Sequence, residues 1–196
     1  MKKSPITFRV ELRDIKPLVW RRIIVASAWS MANLHSYLQW VMSWQDSHTH
    51  EFRIGTQIIA PAWWIKEVSH DSDTGNYVDE RRITIATAVN HAGPAGEFEY
   101  LYDMGDHWSH RLIVEVDGAP AKLDSSLLPL CTAGENAAPP DDVGGSPGYA
   151  SFLEALADRR HEEHAAMLTW IGGAFDPRGF DLNRLNREWR SKRNSA

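Results

Sequence analysis

The residues in this chain that could do chemistry gather in three short stretches. Ser47-His48-Thr49-His50-Glu51 holds two imidazoles, and Asp103-Met104-Gly105-Asp106-His107-Trp108-Ser109-His110 holds two carboxylates and two more imidazoles beside a tryptophan. Pro139-Pro140-Asp141-Asp142 presents two further carboxylates behind a pair of stiff residues. Imidazole nitrogen and carboxylate oxygen are ligand types for Zn or Mn, and such an ion lowers the pKa of bound water for hydrolytic attack. The candidate metal ligands are His48, His50, Asp103 and His110, the candidate cofactor a divalent metal (Zn or Mn). Asp106 and Asp142 are the candidate catalytic carboxylates, and Trp44, Trp108, Asp141 and Tyr149 a candidate ligand or partner surface. All this requires one hollow to receive three stretches far apart in the chain.

The elements that must position these residues are legible from periodicity. Phe98, Tyr100 and Tyr102 alternate into the second stretch, and Trp108, His110, Leu112, Val114 and Val116 alternate out of it, which predicts a β-hairpin with its polar groups at the tip. Gly105 is expected to take the positive φ of a tight connection. Ile6, Phe8, Val10 and Leu12 predict another strand, paired with an extended run over residues 20–25. Ser30 is placed to cap a helix through Ser43, with Leu34, Leu38, Val41 and Met42 inward and Ser36 and Gln39 on the polar side. Residues 47–54 read as a strand, so His48 and His50 would share a face with Phe52 and Ile54. Shorter strands are read in 57–65, interrupted by Pro61 ahead of Trp63-Trp64, and in 79–89 through Ile83 and Ile85.

From Val116 to Gly148, prolines and glycines predict a long irregular connection, which in a compact domain is functional or mobile. Three helices then finish the chain. The first buries Phe152, Leu153 and Leu156 and is capped from Ser151 or from Ser146-Pro147. The second opens at His161 and stops at Gly172-Gly173, and the last begins at Asp181 with Leu182, Leu185 and Trp189 on one side. The fold class is therefore α+β: a largely antiparallel mixed sheet packed by one N-terminal helix, with a C-terminal set of about three helices. A single domain is expected over residues 1–196, β-rich over 1–117, a Pro/Gly loop over 118–148 and helical over 149–190.

Composition narrows the function classes. Cys131 is the sole thiol, so no disulfide forms within the chain and the pattern suits a reducing compartment. No apolar run approaches the roughly 20 residues of a membrane span, and Met1-Lys2-Lys3-Ser4-Pro5 leads into a strand and not a signal-peptide core, so a cytoplasmic protein with no membrane partner is expected. Residues 1–22 hold seven Lys/Arg against two Asp/Glu and residues 178–196 six against two, within a net charge of -5. Basic ends on an acidic body either draw polyanions, nucleic acid among them, or neutralise the body internally, and the second is preferred.

Several motifs fail on spacing. His161-Glu-Glu-His164 lacks the four-residue separation of a zinc protease pair, and Asp71-Ser-Asp73-Thr-Gly75-Asn76 lacks the ligands of a calcium loop. Gly144-Gly145 does not complete a phosphate loop.

The chain resembles the plasmid pRiA4b open-reading-frame-3-like family. The resemblance is carried by Leu12-Arg13-Asp14-Ile15-Lys16-Pro17 with Trp20-Arg21-Arg22, by residues 47–55 and 102–110, by Pro139-Pro140-Asp141-Asp142-Val143-Gly144-Gly145 with Gly148-Tyr149, and by Gly172-Gly173-Ala174-Phe175-Asp176-Pro177 with Phe180-Asp181. It implies an α+β fold and an association with plasmids and mobile elements, with no established reaction. The transposon-resolvase label of some relatives has no support here, since no nucleophilic serine sits in an arginine-rich pattern. Met104 replaces the usual Phe of the hairpin tip, and Ala138 stands where many relatives have a second cysteine, which removes any thiol-pair role for Cys131.

Two functions compete. The preferred one is a non-catalytic protein-binding or regulatory module, in which the polar tips satisfy loop backbone and an acidic, Trp-rich face meets a protein partner. The alternative is a metal-dependent hydrolase, on phosphodiesters for example. Nucleic-acid binding through the basic termini lacks any recognised reader motif.

Overall fold

The computed structural model describes residues 4–69, 76–116 and 123–194. Alternating apolar residues build the strands β1 (Ile6–Leu12), β2 (Trp20–Val25), β3 (His50–Ile54), β4 (Gln57–Ala60), β5 (Tyr77–Asp79), β6 (Glu97–Tyr102), β7 (Trp108–Glu115) and β8 (Leu130–Glu135). They join one sheet in the order β5-β4-β3-β6-β7-β1-β2-β8. Every pairing is antiparallel except β4 with β5. The helices are α1 (Met31–Met42), α2 (Ala62–Val68), α3 (Ile85–Ala92), α4 (Gly145–Ala157), α5 (His164–Trp170) and α6 (Leu182–Asn194). The described fold is thus a mixed α/β architecture around a mostly antiparallel sheet.

The core forms where the inward strand faces meet α1. Phe8, Val10, Phe52, Tyr100 and Leu112 from the sheet are buried with Leu34, Tyr37, Leu38 and Val41 from the helix. Ser30 caps α1 by accepting from the Asn33 amide, and the helix ends when Ser43 turns left-handed at φ 62. That reversal throws Trp44 back into the core, where it is 7% exposed. On α6, Leu182, Leu185 and Trp189 are partly buried against the same core. Asn186 clamps the outer edge of β8, accepting from the Cys131 amide at 3.1 Å and donating to its carbonyl at 2.7 Å. An edge strand is thereby satisfied by a side chain in place of a neighbouring strand.

Several expectations are corrected. Trp63 and Trp64 lie on α2 and not on a strand, because Pro61, with no N–H to give, ends β4 and starts a helix. Ile85 opens α3 behind a Thr84 cap, so that segment is helical and the strand is confined to 77–79. The connection read as irregular contains β8, and Gly144, not a serine, precedes α4. Gln39 is buried rather than on the polar side of α1, and Val116 is 87% exposed. The Asp71–Gly75 part of the polar loop lies outside the described residues.

The basic ends are partly neutralised within the molecule. Arg9 pairs with Glu11, Arg22 with Glu115 and Arg184 with Glu188. Among the described residues, no helix is long and apolar enough to cross a membrane.

Candidate functional site

The three stretches do meet, and the sequence accounts for how. Tyr102 and Trp108 face each other as the last pair of β6 and β7, and the hairpin tip follows. Asp103 takes φ 60 and His107 φ 58, so these two, and not Gly105, carry the left-handed residues of the connection. One Asp103 oxygen, Oδ1, accepts the amides of Gly105 and Asp106 at 2.8 and 3.2 Å. The Asp103 amide in turn donates to the Thr49 carbonyl at 2.8 Å, which ties the tip to the segment entering β3. His48 is thereby set beside the second oxygen, its Nε2 3.6 Å from Asp103 Oδ2.

The late loop closes over this pair from the other side. Trp44 Nε1 donates to the Pro139 carbonyl at 2.8 Å, and the Gln45 amide donates to Asp141 Oδ2 at 3.1 Å. The Gly144 amide donates to Asp106 Oδ2 at 3.1 Å, joining loop to hairpin tip. Gly145 approaches so closely that a Cβ there would stand 2.5 Å from the Asp106 carbonyl oxygen. Asp142, at φ 61, is then presented with Oδ1 2.9 Å from His48 Nε2. The ligand atoms of His48, Asp103 and Asp142 lie within 4.8 Å of one another.

The contact between His48 and Asp142 is close without being a hydrogen bond. Nε2 of His48 is buried and has no hydrogen-bond partner, despite its 2.9 Å approach. Distance and direction disagree, and direction decides whether a proton is shared. Asp141 adds a second irregularity: its Oδ1 is buried and lacks a partner. Burial first, then the charges of Asp142 and Asp103, push its carboxyl above the usual carboxylate range. The locality thus holds more negative charge than its neighbours balance.

The remaining predicted residues lie elsewhere or serve otherwise. His50 is not part of this group. It accompanies His35, Asp46 and Glu80 in a separate network that no motif announced. His50 Nε2 bonds Glu80 Oε2 at 2.7 Å, and His35 bonds Asp46 Oδ1 at 2.7 Å and the Tyr100 hydroxyl at 2.8 Å. The Gln39 amide donates to the same hydroxyl at 2.9 Å. The imidazoles of His35 and His50 stack at 3.4 Å and 4°. An imidazole binds a metal in its own ring plane, and two rings stacked face to face with centroids 3.4 Å apart are poorly aimed at one shared ion. The ligand atoms of His35, Asp46 and His50 also lie within 4.8 Å of one another, but their hydrogen bonds are made inside the protein. Burial drives the His50 pKa down, while the hydrogen bond to His35 pulls the Asp46 carboxyl down.

His110 is fully buried, in neither cluster. Its Nδ1 donates toward the Trp108 and Tyr100 carbonyls at 3.0 and 3.2 Å, and its Nε2 has no partner. Burial lowers its pKa to about 4. Trp108 and Tyr149 are buried as well, so neither offers an outer surface to a partner. Burial also raises the Cys131 thiol to about 11, which leaves it unreactive.

Beside the cluster opens a cleft of about 1080 Å³ that sequence reasoning did not foresee. Trp40, Trp44, Trp170, Phe175 and Phe180 line it, and Asp141 and Asp142 stand at its edge. These aromatics come from α1 and the turn that follows it, from α5 and from the segment before α6, stretches whose sequence patterns signal burial and nothing more.

A mixed sheet whose hairpin tip, pre-β3 segment and proline-led loop converge on one His/Asp cluster defines the class of protein. The chain belongs to the plasmid pRiA4b ORF-3-like protein family, whose model matches residues 5–184. It is 34% identical over 192 residues to the uncharacterized protein y4hQ of Sinorhizobium fredii (strain NBRC 101917 / NGR234), covering 95% of this chain and 91% of that protein. It is also similar to the crystal structure of a protein of unknown function, MM3350 from Methanosarcina mazei Go1. That likeness has a TM-score of 0.70 at 28% identity and covers 92% of this chain and 96% of the other.

Proposed function

We propose that the chain is a divalent-metal-dependent hydrolase whose ion is held by His48, Asp103 and Asp142. The observation that carries this reading is the convergence of one imidazole and two carboxylates, from three separate stretches, within 4.8 Å. A nitrogen beside carboxylate oxygens without a hydrogen bond is the arrangement expected of donors around a shared cation. Two carboxylates neutralise a divalent ion, and an oxygen-rich set with one imidazole suits Mn or Zn. Three protein ligands leave coordination positions open, and an ion so held lowers the pKa of water and polarises a carbonyl or phosphoryl oxygen. The chain's own residues supply the orientation: the Asp103 amide bond to Thr49, the Trp44 bond to Pro139 and the Gly144 bond to Asp106 fix the ligands from behind.

The test is metal content and Mn titration calorimetry on protein purified without a histidine tag. The expected result is one ion per chain, with His48→Ala and Asp142→Asn each weakening Mn binding by about tenfold or more while the thermal transition is kept. Metal-free, well-folded protein that takes up neither Mn nor Zn sinks the proposal. A second reading, a non-catalytic protein-binding or regulatory module, is favoured by the exposure of Trp63 at 61% and Trp170 at 46%. Under that reading a partner binds equally to wild type and Asp142→Asn.

A further inference from the structure

The cleft beside the cluster carries a charge pattern that speaks to its ligand. Four carboxylates line it, Asp141, Asp142, Asp181 and Glu188, against the guanidinium groups of Arg21 and Arg184. Both cations are already committed. Arg21 donates to the carbonyls of Val41, Trp20, Glu135 and Asn136, and Arg184 pairs with Glu188. Among the lining residues the carboxylates outnumber the guanidinium groups four to two, which disfavours a phosphate, and Asp141 keeps a buried oxygen without a partner.

The walls already hold cations from the chain itself. The Lys192 ammonium stands 5.2 Å from the centre of the Trp40 ring, and the Arg21 guanidinium 4.1 Å from that of Phe180. An aromatic wall attracts a cation through its ring quadrupole, and a neighbouring carboxylate adds direct charge. Trp170, which also lines the cleft, remains 46% exposed.

Resting on the metal reading above, we infer that the substrate of this site is a cationic peptide segment, one basic residue beside an apolar or aromatic one, and not a phosphodiester. The basic group pairs with Asp141 and the apolar side chain lies along the Trp170 and Phe175 wall. The peptide bond between them is thereby brought toward Asp142, the member of the cluster that also lines the cleft. A cleft of about 1080 Å³ slightly exceeds the roughly 300–1,000 Å³ of ordinary ligand pockets, room enough for a few residues.

The experiment follows tryptophan fluorescence of the full chain, because three tryptophans line the cleft. The probes are an N-acetylated Phe-Lys dipeptide amide, the matching Phe-Glu peptide, inorganic phosphate and a short single-stranded DNA, with Mn binding measured in parallel by calorimetry. The Phe-Lys peptide is expected to bind about tenfold or more tighter than the Phe-Glu peptide. Asp141→Asn, which keeps the acceptor for the Gln45 amide, is expected to erase that preference while Mn affinity stays within about threefold. Tighter binding of phosphate or DNA than of the Phe-Lys peptide overturns the inference, as does a charge preference that survives Asp141→Asn. Failure of the wild type to bind Mn overturns the metal reading instead, so the two failures are told apart.

Discussion

His110 offers the most quantitative test of how this site is built. Its ring is fully buried, Nδ1 is spent on two backbone carbonyls, and Trp44 meets it edge-on at 5.2 Å. The same Trp44 anchors the loop that carries Asp141 and Asp142. Burial lowers the His110 pKa from 6.5 to about 4. Between those values the unfolded chain binds a proton that the folded protein refuses. Stability is therefore intact above 6.5 and is lost as pH falls through the window, levelling off below about 4. The full gap is worth roughly 3 kcal/mol, a sizeable share of the 5–15 kcal/mol typical of a domain.

His50 is lowered too, so it adds loss of the same sign, whereas Asp141 is raised and opposes it. The comparison is thus between wild type and His110→Phe. Urea unfolding is followed from about pH 7.5 to about pH 4.5, a span over which the His110 proton alone accounts for roughly 2.5 kcal/mol. The variant is expected to lose less stability by about that amount. Any repacking cost of the larger ring shifts both ends of its curve equally and leaves the slope alone. Equal slopes, or an NMR titration of His110 near 6.5, would refute the claim that this imidazole is held neutral by burial.

Other consequences follow from the same contacts. Gly145→Ala places a methyl against the Asp106 carbonyl at a residue with φ +66, so a loss of about 1–2 kcal/mol is expected, with Mn affinity falling about tenfold as Asp142 moves; calorimetry and chemical unfolding read the two together. Tyr100→Phe leaves His35 Nδ1 and the Gln39 amide without their shared hydroxyl, at a cost of about 2–4 kcal/mol in urea unfolding, whereas any Mn affinity stays as in wild type because that network is separate from the proposed ion site. Asn186→Ala orphans both backbone groups of Cys131 on the edge strand; about 1–3 kcal/mol of stability should go, with faster amide exchange at Cys131.

Elements with a strong period were legible from the residues alone. The 98–116 stretch announced its hairpin, and Ser30 with Leu34, Leu38 and Val41 announced α1. The misreadings share a cause. Thr84 and Pro61 start short helices from few residues, too few for a 3.6-residue period to stand out against two. Strand β8 was hidden because Ala133 and Gly134 are poor strand formers, and its edge is held by Asn186, 52 positions beyond Gly134, which no local pattern reports. The cleft was illegible for the same reason: its aromatic residues come from elements distant in the chain. The charge excess around Asp141 and Asp142 could be guessed, but the commitment of Arg21 to four carbonyls could not.

The fate of His48 and His50 shows how a difference of two residues separates structure from chemistry. In a continuous strand both rings would lie on one face, and any metal at one would have been within reach of the other. Strand β3 begins only at His50, whose ring is directed into the sheet's covered face, where Glu80, Phe52 and the stacked ring of His35 enclose it. Two positions earlier the backbone is free of the pleat and is held by the Asp103 amide on Thr49, so His48 turns to the hairpin tip instead. The His50 ring has its Nε2 spent on Glu80 and its face stacked on His35, so that nitrogen is committed within the protein. His48 Nε2 instead lies 2.9 Å from Asp142 and 3.6 Å from Asp103 without hydrogen-bonding either, and in the proposed site it would be the nitrogen donor to the ion; that asymmetry is why Asp142→Asn and Tyr100→Phe are expected to fail in opposite assays.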